Sequence, residues 1–341
     1  MGGEAYSLPI LDRRTIPCAL RRPITLSRTS AHIHLATLGF QTAQQQLEGL
    51  ERALDCLSEA FAKGDLESVF RSEVSIALGD GAVKMIPLCT ANTQLHGLND
   101  RSDGFKYGYE PDVAAAIDFF VPSEGVMVDA GANFGYFSLY LASRAGFVGL
   151  VHAFEPSSRG FADLRTLVSL SGLDDRVQIY PLALGDSQGE VTLLMSRSDG
   201  LSTTSTQLAN SLEKVLREES VAMRRLDDFA LERLDFLKVD VEGAESAVLA
   251  GGVKTIRATC PVICFESWQS VDDRPAFGLL RELGYTFYLP GWPAPSGRMT
   301  LSVEQATDRS QLMLVAFEAE HRRRLPARLN VMAIPKMRAQ F

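Results

Sequence analysis

The stretch VMVDAGANFGYFS, residues 126–138, decides the fold. Its first five residues are an apolar strand run. Gly131-Ala132-Asn133-Phe134-Gly135 then forms a glycine loop that opens into a helix-like segment. Two later stretches have the same form: HAFEP at 152–156 and LKVDVEGAE at 237–245, each a strand that ends in an acid. Taken in order, they describe an α/β sheet with a pocket for an adenosine-containing cofactor at the carboxyl ends of its strands.

Strand and helix patterns alternate around this core. Strands are expected at 126–130, 148–154, 176–182, 235–240 and 261–266. Helices are expected near 111–120, 135–145, 157–171, 243–257 and 273–283, with Ser157 as an N-cap and Gly172 and Gly284 as stops. Repeated βαβ units imply a parallel sheet covered on both faces. Residues 189–195 and 221–226 read as an inserted hairpin around the Ser/Thr-rich loop 196–211. Residues 285–289 and 311–318 read as a closing antiparallel pair at one edge.

Before this region lies an N-terminal extension, 1–108. It comprises a loosely ordered start, a helix over 42–63 and a hairpin over 74–88 around Gly79-Asp80-Gly81. Leu47, Leu50, Leu54, Leu57 and Phe61 share one face of that helix. The stripe is compatible with a homo-oligomer, but two heptads favour packing on the chain's own core. The α/β domain is expected over 109–320 and a basic tail over 321–341.

Composition narrows the class. The 341 residues are 46% apolar, enough for one large core with an extension. No run approaches the ~20 apolar residues of a membrane span. The net charge of −8 argues against nucleic acid as a partner. Arginines gather at both ends, which suits solvated termini or an acidic docking surface. Cys18, Cys56, Cys89, Cys260 and Cys264 are odd in number and contain no CxxC pair. Free thiols, a reducing compartment and a cytoplasmic location follow, and a structural zinc site does not.

The loop chemistry favours S-adenosylmethionine over a nicotinamide dinucleotide. Asn133 occupies the place of the middle glycine in a dinucleotide fingerprint, and Asp129 would repel a pyrophosphate. An acidic site suits a sulfonium cation and an ammonium group. Asp129, Gly131, Asn133, Phe134 and Gly135 are therefore cofactor-loop candidates, and Glu155 is placed to accept from ribose hydroxyls. Ala183, in LALGD, would border the adenine, and Glu110 would reach the cofactor amino group. Asp240, Glu242 and Glu266, at strand ends beside the expected methyl position, are the candidates for catalysis. Asp240 also serves the cofactor. Capping the following helix is the alternative role for Asp240 and Glu242. His152 reads as a core residue.

Taken together, DAGANFGYFSL, AFEP, LALGD, RLDDF and LDFLKVDVEGAESAVLAGG resemble the successive blocks of the FkbM family of S-adenosylmethionine-dependent methyltransferases, from about Tyr109 to Trp268. The resemblance implies a Rossmann-like class I methyltransferase fold, a mostly parallel seven-stranded sheet with an antiparallel last strand. It also implies O-methylation of a sugar, glycan, polyketide or other small-molecule acceptor. It assigns no metal ligands, although a base or a divalent metal is expected on chemical grounds to activate a hydroxyl. Two other readings stand beside it: an NAD-dependent oxidoreductase, and a non-catalytic binding module on a methyltransferase scaffold.

Overall fold

The computed structural model describes residues 72–77, 83–88, 110–196, 202–205, 215–293, 299–300, 312–324, 326 and 328–336. The helix expected over 42–63 lies outside them. Strands β1 (Ser72–Ala77) and β2 (Val83–Leu88) form a separate two-stranded sheet.

The α/β body begins with helix α1 (Pro111–Phe120), whose Pro111 suits a first helical turn because no N–H is needed there. Next come β3 (Val126–Ala130), α2 (Tyr136–Ala142), β4 (Leu150–Phe154), α3 (Ser158–Leu170) and β5 (Val177–Tyr180). Ser157 caps α3 as expected, its side chain accepting from the Gly160 N–H at 3.0 Å. An inserted sheet follows, built from β6 (Ala183–Leu184), β7 (Gly189–Ser196), β8 (Ser202–Thr203) and β9 (Val215–Arg224) in the order β6-β9-β7-β8. The expected hairpin is β7 against β9, and β8 lies within the Ser/Thr-rich loop. The chain returns through β10 (Phe236–Val239), α4 (Glu245–Gly251), α5 (Val253–Thr259), β11 (Val262–Trp268), α6 (Arg274–Glu282), β12 (Tyr285–Pro293), β13 (Met299–Thr300), β14 (Met313–Ala316) and β15 (Arg328–Pro335). The helix expected over 243–257 is thus two helices meeting at Gly252.

The large sheet has the order β13-β12-β15-β11-β10-β3-β4-β5, with β14 also on β12. Strands β5, β4, β3, β10 and β11 are mutually parallel. The last strand, β15, is antiparallel to both β11 and β12. This is the class I methyltransferase sheet, widened by β13 and β14.

The expected antiparallel pair is present, β14 running against the far part of β12, but one reading of the C-terminal region needs correction. The seventh strand is β15, inserted between β11 and β12 and lying within the stretch read as a basic tail. Arginines dominate that stretch, yet Val331, Met332 and Ala333 are fully buried. Burying such side chains contributes ~1.5–3 kcal/mol each for the larger ones, which outweighs the solvation of a few flanking charges.

Strand alternation sorts the sheet faces. Val128, Ala130, Leu237, Val239, Ile263, Phe265, Val331 and Ala333 share one core with Val248 and Leu249 of α4, Ile256 of α5, and Phe277 and Leu280 of α6. Asp129 and Lys238 alternate with these core positions, and they stand opposite each other in the β3–β10 register.

Candidate active site

The carboxyl ends of β3, β4, β10 and β11 bring together most of the residues singled out from sequence. Gly131 leaves β3 with φ +77°, and a Cβ there would stand 1.8 Å from the Asp240 carbonyl oxygen. Only glycine allows the two strand ends to approach so closely. Asn133 also has a left-handed backbone, with φ 52°, and Gly135 precedes α2 with φ 90°. Phe134 is buried, 1% exposed, and anchors the loop in the core.

Glu155 holds this loop in place. Its Oε2 accepts from the Asn133 N–H at 2.8 Å, and its Oε1 accepts from the Ser157 N–H and hydroxyl. Burial pushes its carboxyl up, while the hydrogen bonds from Ser157 and Asn133 oppose that shift. Asp129 is 1% exposed and accepts from the Ser138 hydroxyl at 2.7 Å. Ala183 packs with Leu193 and Val221 in the core of the inserted sheet, so its side chain is engaged there.

Lys238 organises the acids. Its ammonium lies 3.5 Å from Asp129 Oδ1 and 3.2 Å from Asp240 Oδ2, and 5.2 Å above the Phe137 ring. Burial alone would push Asp240 up, but Lys238 and Arg328 outweigh it and hold the carboxyl below its ordinary value.

Glu242 has a left-handed backbone, φ 53°, and is 8% exposed. Its carbonyl accepts from the Thr203 hydroxyl, which ties β8 to the site. It does not cap α4. The N-cap of α4 is Ala244, with no side-chain cap; Glu245 Oε1 instead accepts from the Val241 and Gly243 N–H groups, each at 3.1 Å, and braces the turn that leads into the helix. Burial, with the charge of Asp240 added, pushes Glu242 up to about 8. Burial also raises Glu245 to about 7.

Glu266 stands at the end of β11, bonded by Arg328 Nε and by Trp268 Nε1. The Arg328 guanidinium also lies 5.0 Å above the Trp268 ring and 3.9 Å from Glu110. Burial and the charge of Asp240 push Glu266 up to about 10, against the pull of Arg328. Burial and Asp240 likewise raise Glu110 to about 8. One carboxylate oxygen each from Asp240, Glu242 and Glu266 fall within 4.8 Å of one another. All three candidates for catalysis therefore share one place.

Sequence reasoning missed Lys238, Arg328, Trp268 and Glu245. A lysine inside an apolar strand was the signal for the first, and the last acid of VDVEGAE was the signal for Glu245. His152 is buried in β4 beside Tyr180, its Nδ1 3.0 Å from the Tyr180 hydroxyl, as expected for a core residue. Among the described residues no helix is long and apolar enough to cross a membrane, and Cys260 and Cys264 are free thiols.

Comparison with known proteins places the chain by its sequence. The family whose model matches is the Methyltransferase FkbM domain, over residues 129–287. Methyltransferase sdnD of Sordaria araneosa is 30% identical over 195 residues, which span 48% of this chain and 75% of that protein. The 2-O-methyltransferase NoeI of Sinorhizobium fredii is 34% identical over 152 residues, which span 39% of this chain and 60% of that protein. Among solved structures, a methyltransferase FkbM from Methylobacillus flagellatus superimposes with a TM-score of 0.36 at 13% identity, covering 66% of this chain and 60% of that one.

Proposed function

The chain belongs to the FkbM methyltransferase family, and on that premise we propose that it transfers a methyl group from S-adenosylmethionine to a hydroxyl of a small-molecule or glycan acceptor. The observation that carries this reading is the closure of the Gly131 loop onto Asp240, with Glu155 bracing the loop from β4. That cradle would be filled by any Cβ at Gly131.

The residues fit such a cofactor. Glu110 Oε2 is a buried oxygen without a hydrogen-bond partner, which suits a cationic group; Asp129 Oδ1 also lacks a hydrogen bond but already faces the Lys238 ammonium at 3.5 Å. The loop 131–135 and Asp129 would hold the amino-acid end, with Glu155 beside the ribose and Asp240 near the sulfonium. Bound there, S-adenosylmethionine supplies an electrophilic methyl group. The chain's own part is to position the acceptor oxygen in line and to exclude water, which supplies much of the acceleration in a two-substrate reaction. The Thr203 hydroxyl, donating to the Glu242 carbonyl, brings β8 beside the acids and supports a role for it on the acceptor side. The similarity to NoeI, a 2-O-methyltransferase, favours a hydroxyl acceptor.

Calorimetric titration with S-adenosylhomocysteine tests the reading. Micromolar, one-to-one binding is expected for the wild type, weakened at least tenfold by Asp129→Asn and by Glu155→Gln. No binding by folded wild-type protein would overturn the reading and favour a non-catalytic scaffold.

A further inference from the structure

We propose that Asp240, Glu242 and Glu266 form a binding site for one hard divalent cation of the Mg²⁺ or Mn²⁺ class. Their nearest carboxylate oxygens lie within 4.8 Å of one another. Two oxygens on opposite sides of such a cation, each bonded at ~2.1 Å, stand ~4.2 Å apart. Small side-chain rotations close that difference.

A second observation is independent of the clustering. Glu242 is 8% exposed, and its Oε2 is buried without a hydrogen-bond partner. A buried, unpaired carboxylate oxygen is costly, and buried charges are ordinarily paired or bound to metal. This oxygen belongs to a residue whose carboxylate faces Asp240 and Glu266.

The local charge points the same way. Glu110, Asp240, Glu242 and Glu266 surround the position, and Lys238 and Arg328 are the cations beside them. Lys238 is shared with Asp129, and Arg328 is shared between Glu266 and Glu110. When all four acids are ionised, they outnumber the two cations. Arg328 and Trp268 both bond Glu266, yet each carboxylate oxygen accepts at two sites, so those partners orient Glu266 without exhausting it.

The donor set fixes the class of ion. It is all carboxylate, with no imidazole or thiolate, which suits Mg²⁺ or Mn²⁺ rather than zinc. The inference rests on the proposed function for its role alone. A cation there would polarise an acceptor hydroxyl and ease the loss of its proton to water.

Titration of metal-stripped, full-length protein with Mn²⁺, followed by loss of the free-ion paramagnetic resonance signal, tests the site. One Mn²⁺ per chain is expected, displaced by excess Mg²⁺ and weakened at least tenfold in Glu242→Gln and in Asp240→Asn. Circular dichroism melts establish that the variants fold, and if one does not, the other decides. No saturable Mn²⁺ binding by wild type, or equal binding by folded variants, overturns the site. S-adenosylhomocysteine titration alongside separates the two claims. Cofactor binding without Mn²⁺ binding defeats the cation site alone, and Mn²⁺ binding without cofactor binding defeats the cofactor reading alone.

Discussion

Lys238 stands directly across from Asp129 in the β10–β3 register, and its ammonium spans from Asp129 to Asp240 at 3.5 and 3.2 Å. The side chains of Lys238 and Asp129 are 5% and 1% exposed. Removing one partner of a buried ion pair leaves an uncompensated charge, at ~3–5 kcal/mol. Lys238→Met is therefore expected to lower unfolding free energy by ~3 kcal/mol at pH 7, measured by urea denaturation. A cost under ~1 kcal/mol would show that the two acids do not depend on this lysine.

Gly131 and Gly278 should respond oppositely to alanine. At Gly131 the new Cβ would collide with the Asp240 carbonyl oxygen, and the left-handed backbone adds ~1–2 kcal/mol of strain. Gly131→Ala is expected to destabilise by at least ~2 kcal/mol and to lose S-adenosylhomocysteine binding. Gly278 lies within α6 with nothing within 4 Å of its added Cβ, so Gly278→Ala should stabilise by ~0.5–1 kcal/mol. Thermal melts of the two variants check both signs, and a stable, cofactor-binding Gly131→Ala would refute the close approach.

Burial lowers the pKa of His152. The folded state therefore disfavours its charged form. The stability it contributes is fully present above the unfolded value of ~6.5 and is lost as pH falls through the folded value. Glutamine at 152 can still meet the Tyr180 hydroxyl but does not titrate. Wild-type melting temperature should accordingly drop more than that of His152→Gln between pH 7.5 and pH 5. A difference between the two that does not change with pH would contradict this.

The parts of the molecule visible in the sequence are those encoded locally. The Gly131 loop, the Ser157 cap and the acids after β10 are each written within a few residues, and backbone geometry demands those residue types there. What stayed hidden depends on pairing across the chain. Arg328 reaches Glu266 over a separation of 62 residues, and Asn330 reaches Asp112 over 218. The short apolar run of β15 sits among arginines, so its charge pattern masked its burial. Lys238 looked like an interruption of a core strand, because its partners belong to β3 and to the loop after β10. Glu155 was legible as a strand-end acid, whereas its bracing of Asn133 required the fold.

Hydrogen exchange read by mass spectrometry, with and without S-adenosylhomocysteine, tests the central claim most directly. Cofactor binding at the strand ends should slow exchange in the peptides covering 129–136, 154–158 and 239–245 together, leaving α6 and β14 unchanged. Absence of protection in those three segments at saturating ligand, or protection confined to other parts of the chain, would contradict the assignment of the site.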